Sequence, residues 1–179
     1  MFYKKNSTSI VLLILVMCLF HVRSQAVNSL TVTSQSFKNN DFIPAKHSLT
    51  QGNISPHLTW TAGPSGTKSY AIICTDPDAP TKPWVHLVVF NIPATVQSLP
   101  EGALNKTSKL VTLGINDYKQ TTYGGPNPPP GTPHHYHFDV YALDIDVLNL
   151  PKKTTKADVL QAMQGHILAQ DRLTGLYKA

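Results

Sequence analysis

The stretch Trp84-Val-His86-Leu-Val-Val-Phe-Asn-Ile92, entered from Asp76-Pro-Asp-Ala-Pro80, decides the fold. From Leu87 to Ile92 the run is almost wholly apolar and rich in β-branched residues, the pattern of a strand buried on both faces. Carboxylates, prolines, an indole and an imidazole crowd into residues 76–86 just before it. A polar cluster therefore sits at the mouth of a core strand, on a loop that its prolines stiffen. Loops held this way are where binding side chains are usually aimed.

A second cluster answers the first. Gly124-Gly-Pro-Asn-Pro-Pro-Pro-Gly-Thr-Pro133 runs into His134-His-Tyr-His-Phe-Asp-Val-Tyr-Ala-Leu143. Proline donates no ladder hydrogen bond, so residues 124–133 read as an ordered loop between strands. The residues after it alternate. Period two places His134, Tyr136, Phe138 and Val140 on one face and His135, His137, Asp139 and Tyr141 on the other.

Working outward, strand-like runs recur at Leu30–Ser34, His57–Thr61, Tyr70–Thr75, Val85–Ile92, Lys109–Leu113 and Tyr136–Leu143. Turn signals separate them: Gln51-Gly-Asn53, Gly63-Pro-Ser-Gly66, Pro100-Glu-Gly102 and Asn116-Asp117. Many short strands with punctuated connections predict an all-β, antiparallel sandwich with a few short peripheral helices. One helix is expected near the C-terminus. Thr155-Lys-Ala-Asp158 reads as a capping box with Asp for Glu, and Ala157, Leu160, Met163 and Ile167 share a face at helical spacing. Gly165 weakens its middle and Gly175 is read as its end.

The first residues form a separate unit. Met1-Phe-Tyr-Lys-Lys5 is basic, Ile10 to Phe20 is apolar, and Ser24-Gln-Ala26 supplies small residues where a signal peptidase reads. The apolar run is too short for a span of about 20 residues, so residues 1–26 are expected to be a secretory signal. Met17 is too large for a lipidation site at Cys18. Residues 27–179 remain as a single domain, directed to the periplasm or secreted. Without the signal the balance is 12 basic against 10 acidic residues. No Lys/Arg block is left, which argues against nucleic-acid binding. Cys74 is then the sole cysteine, so no internal disulfide is possible, and its strand context reads as a small buried apolar residue.

Asp76-Pro-Asp-Ala-Pro80, Trp84-Val-His86, Pro128-Pro-Pro-Gly131 and His134-His-Tyr136 together resemble the signature segments of the phosphatidylethanolamine-binding family, also called Raf-kinase-inhibitor-like proteins. The resemblance covers roughly residues 30–179. The short spacer between Pro80 and Trp84, and the ending Gly165-His-Ile-Leu-Ala169…Leu173-Thr-Gly175, are similar to the bacterial branch. It implies the β-sandwich of that family. It implies a ligand site at Asp76, Pro80, Trp84, His86, His134 and Tyr136, a kinase or protease partner, and a homodimer. One departure stands out: His135 occupies the place of the family's usual Arg, which puts that Arg's salt bridge in doubt.

The two clusters suit a small anion. Imidazole N–H groups and a phenol O–H donate to phosphate, and loop N–H groups add a nest. Of the carboxylates, one is expected to orient a histidine and another to meet an ammonium, as phosphoethanolamine would require. Trp84 and the prolines would form apolar walls. Individually, Asp76 also reads as a turn cap and His86 as a core histidine. Proline density beside both clusters predicts a cis X–Pro bond at Pro80 or within residues 126–130. His135 and His137 share a strand face, but no CxxC or HExxH pattern supports a metal. There is no Gly-x-Ser-x-Gly elbow and no partnered nucleophile, so an enzyme is not expected. No cofactor is implied. The expected function is a non-catalytic, exported protein that binds a phosphate-bearing small molecule or phospholipid head group and regulates a partner. The alternative is a secreted protease inhibitor or interaction module with a vestigial pocket. Asn53-Ile-Ser55 and Asn105-Lys-Thr107 are glycosylation sequons, relevant only in a eukaryotic secretory pathway.

Overall fold

The computed structural model describes residues 29–107, 109–151 and 153–179. Its strands are β1 (Val32–Thr33), β2 (Asp41–Phe42), β3 (Leu58–Trp60), β4 (Ser69–Asp76), β5 (Trp84–Pro93), β6 (Ser98–Leu99), β7 (Thr112–Leu113), β8 (His134–Leu143) and β9 (Ile167–Tyr177). One α-helix, α1 (Lys156–Ala162), and two 3-10 turns at Ala45–His47 and Ala103–Asn105 complete it. The strands form a three-stranded sheet, β1-β3-β6, and a six-stranded sheet, β2-β9-β8-β4-β5-β7. All pairings are antiparallel except β2 with β9. This is the expected mostly-β sandwich with a short helix near the C-terminus.

β4 and β5 are buried on both faces, as their apolar runs require. Tyr70, Ile72, Cys74, Leu87, Val89 and Ile92 join the main core with Tyr136, Phe138 and Val140. Ala71, Ile73, Val88 and Phe90 enter a second core under α1 and the loop after β8. Burial pushes the Cys74 thiol well up, consistent with packing rather than reactivity. Two irregularities interrupt the β4–β5 ladder. At one, Asn91 adopts φ 57° and its side chain bonds the Leu148 backbone on both sides, N–H to Oδ1 at 2.7 Å and Nδ2 to the carbonyl at 3.3 Å. At the other, Cys74 faces Leu87 and Thr75 faces Val85, so His86 is the extra residue of a β-bulge.

The C-terminal segment departs from the sequence reading. The capping box is present: the Thr155 side chain accepts from Asp158 N–H, and Asp158 accepts from Thr155 N–H. However, the helix stops at Ala162; its buried residue is Val159, Met163 is buried just past its end, and Ala157 is exposed. Ile167 is the exposed first residue of β9, a strand that the sequence reading missed. β9 pairs with β8 from His134↔Tyr177 to Leu143↔Ile167. That full-length ladder overrides the helix-compatible Leu, Ala, Gln and Arg in the segment. Gly175 does not end a helix. It lies in β9, where a Cβ would come within 2.4 Å of the Ile43 side chain.

Candidate functional site

Three central strands bring their polar ends together. β4 ends at Asp76, opposite Trp84 at the start of β5, and β8 begins alongside with His134 and Tyr136. The resulting cavity of about 300 Å³ is lined by Asp76, Pro80, Trp84, His86, His134 and Tyr136, all six residues expected from sequence. Tyr118, Ala79, Asn127, Pro128 and Pro129 complete it. Tyr118 was missed because Asn116-Asp117 signalled only a turn.

The bulge at His86 gives the site its shape. Strict alternation would turn His86 away from the face of Leu87 and Val89. The bulge instead brings its ring to Tyr136, with centroids 5.1 Å apart, and to Tyr118 at 5.7 Å. His86 Nδ1 donates to the Gly124 carbonyl at 2.7 Å, and Gly124 N–H donates back to the His86 carbonyl at 3.0 Å. The buried Asn116 amide also holds the His86 carbonyl, at 3.2 Å. Burial drives the His86 pKa below the usual histidine value, against the pull of the Gly124 carbonyl and the Asp76 charge.

Asp76 plays two parts. Its Oδ2 accepts from His134 Nδ1 at 2.7 Å, with both side chains nearly buried. Its Oδ1 accepts the Asp78 N–H at 2.8 Å in an Asx turn. It thus orients the histidine as expected and caps the loop as well. Asp78, a motif residue whose role could be structural, makes contacts of that kind. It lies outside the cavity lining and accepts from both the backbone N–H and Nδ1 of His135, at 2.8 and 2.7 Å. Burial alone would raise its pKa, but these bonds hold the carboxyl below the usual range. His135 therefore ties the two motif loops together through hydrogen bonds of its own.

The hydrogen-bond donors of the site also differ from expectation. Neutral imidazole has one N–H, and in both rings it is spent, His86 on Gly124 and His134 on Asp76. Two other donors are buried and lack a well-formed protein hydrogen bond, the Tyr136 O–H and the Trp84 Nε1–H; the first leans toward the Asp76 carboxylate and the second toward the Tyr118 oxygen, leaving both open to a better acceptor. Burial, then the Asp76 charge, pushes both tyrosines up, Tyr118 to about 12 and Tyr136 further, so both phenols stay protonated. The expected cis proline is absent, since no peptide bond among the described residues is cis. The proline-rich loop is turned instead at Gly131, whose φ of 147° suits glycine. His135 and His137 have ring centroids 6.4 Å apart, and no group of three metal-ligating side chains occurs among the described residues.

A poorly satisfied buried hydroxyl has a measurable consequence. Replacing Tyr136 with Phe removes a desolvated O–H, so the empty protein is expected to gain about 1–3 kcal/mol of stability while anion binding weakens. Urea denaturation and ligand titration of the same variant check both signs. A destabilised variant with unchanged binding would show that the hydroxyl is satisfied internally.

The sequence profile of the phosphatidylethanolamine-binding protein family matches residues 33–178. A UPF0098 protein of Aquifex aeolicus is 43% identical over 150 residues, covering 82% of this chain and 87% of the relative. The UPF0098 protein YbhB of Escherichia coli is 37% identical, covering 80% and 97%. The crystal structure of Escherichia coli YbcL, described as a new member of the mammalian PEBP family, superposes with a TM-score of 0.79 at 36% identity. That match covers 84% of this chain and 99% of YbcL.

Proposed function

The chain belongs to the phosphatidylethanolamine-binding protein family, and from that premise we propose that it is a non-catalytic binding protein whose cavity holds a phosphate-bearing small anion. The observation that carries the reading is the pair of buried donors that lack a well-formed protein hydrogen bond, Tyr136 O–H and Trp84 N–H, beside two imidazoles in one cavity. A buried donor left unsatisfied costs about 1–3 kcal/mol, and an oxyanion would relieve both. The cavity contains no Ser, Cys or Lys to act as a nucleophile. Titration calorimetry with inorganic phosphate and phosphoethanolamine tests the reading. Saturable binding supports it. Potent protease inhibition with neither ligand bound would replace it with the inhibitor reading.

The expected pH dependence has a definite sign. Neither ring has a spare N–H when neutral, so an added proton supplies the extra donor. His86 has its pKa lowered by burial, so that proton is lost through a midpoint below about 6.5. Phosphate affinity is therefore expected to fall as pH rises toward about 6.5, with the loss largely complete at neutral pH. A flat profile measured by calorimetry would sink the idea.

Export is part of the same proposal. Residues 1–26 lie outside the described residues, and their cleavage would leave Val27 as the N-terminus. Intact-mass measurement of protein recovered from the periplasm or medium checks this. Recovery of the full-length chain in a membrane fraction would mean a retained anchor. Regulation of a kinase or protease and self-association as a homodimer extend the proposal from family membership.

A further inference from the structure

The fold assigns the two ring nitrogens of His86. Nδ1 lies 2.7 Å from the Gly124 carbonyl, which can only accept, so Nδ1 carries the hydrogen. A neutral ring then bears a lone pair on Nε2. The Gly124 bond is the ring's short one, with the Gly125 carbonyl the second backbone acceptor near it, and Nε2 is the ring nitrogen left for whatever fills the cavity. His86 is 2% exposed. The groups around it are Asp76 on β4, tied to His134 on β8, Tyr136 on β8, and Asp117 and Tyr118 in the loop after β7. Asp117 is itself engaged, by Val85 N–H at 2.8 Å and Lys82 Nζ at 3.1 Å. Burial outweighs the two carboxylates and keeps the ring neutral near neutral pH.

A lone pair at the heart of an anion site is selective. An oxyanion that carries a hydrogen can donate it to Nε2 while its other oxygens accept from Tyr136 and Trp84. One that carries none sets a charged oxygen against the lone pair. Resting on the reading that the cavity holds a phosphate-bearing anion, we propose that His86 Nε2 makes the site select proton-carrying oxyanions, phosphate and phosphomonoesters, over sulfate and phosphodiesters. A phosphomonoester has its second ionisation near about pH 6, so a substantial share of it carries the needed hydrogen in mildly acidic solution. Sulfate and a diester have none across that range. The ligand class is thereby narrowed from a phospholipid, a diester, to a monoester such as phosphoethanolamine or to phosphate itself.

Four probes decide the matter: inorganic phosphate, phosphoethanolamine, sulfate and glycerophosphoethanolamine, the last keeping the diester linkage of a lipid. Calorimetry on the wild-type protein near about pH 6.5, where the ring is mostly neutral and the monoester still partly protonated, is expected to show the first two binding several-fold to about tenfold tighter than the last two, the worth of one hydrogen bond. The gap is expected to close as pH falls below the usual histidine value and the ring takes up a proton. In the phosphate complex, 15N NMR is expected to find His86 with Nδ1–H and an Nε2 that lacks a full N–H bond. Sulfate or the diester binding as tightly as phosphate near about pH 6.5 would overturn the proposal and leave the anion site standing. So would an imidazolium at His86 in every complex. Failure of all four probes to bind would overturn the anion reading and this inference with it.

Discussion

Asp76→Ala is expected to cost about 1–3 kcal/mol of folding stability for each buried donor it strands, which makes it among the most damaging single changes at the site. The carboxylate meets His134 Nδ1 at 2.7 Å and the Asp78 N–H at 2.8 Å, and the His134 and Asp76 side chains are only 9% and 5% exposed. Truncation leaves the nearly buried His134 N–H and the Asp78 backbone N–H without their acceptors. It also frees the His134 ring to rotate, so phosphate binding is expected to fall with stability. The neighbouring pair provides the control. Asp78 and His135 are 40% and 50% exposed, so Asp78→Ala is expected to cost less than about 1 kcal/mol. Urea denaturation of the two variants compares them directly. Equal losses would mean that the Asp76–His134 contact is solvated and does not organise the site.

Gly125→Ala is expected to destabilise by about 3 kcal/mol, the upper end of the overpacking range. A Cβ there would lie 2.1 Å from the His47 carbonyl oxygen and 2.8 Å from Leu49 N. Both are backbone atoms, and neither is free to retreat. The His47 carbonyl accepts the Tyr123 O–H at 3.1 Å, and Leu49 N–H donates to the Pro126 carbonyl at 3.0 Å. Gly125 N–H in turn donates to Asn53 Oδ1 at 2.7 Å. The strain has to be taken up by the loop, which shifts the neighbouring Gly124 carbonyl that fixes the His86 ring. Loss of phosphate affinity beyond that explained by unfolding is the second expected result. Thermal denaturation and calorimetry on the folded fraction measure both, and a variant matching wild type in each would show that the loop yields without disturbing the site.

Much of this arrangement was legible in the residues themselves. The alternation from His134 to Tyr141 requires His134 and Tyr136 to share the buried face, since a strand turns each successive side chain over. The apolar run from Leu87 demands cover on both faces, and the structure provides it with the small sheet on one side and α1 on the other. The six lining residues that the family resemblance implied lie in two loop–strand junctions that the sequence pattern marks.

Other features were decided only by the tertiary structure. The facing of His86 depends on a bulge, which is a property of how β4 and β5 register against each other and leaves no trace in the hydrophobic pattern. The state of its ring nitrogens depends on a carbonyl 38 residues away. β9 carries residues that suit a helix, and pairing with β8 along its whole length makes it a strand. The sequence alone thus determined which strands are buried and which polar residues end them, because burial and period are local. Where those side chains point, and which atoms they have left to offer a ligand, came from contacts between distant segments, which no local pattern encodes.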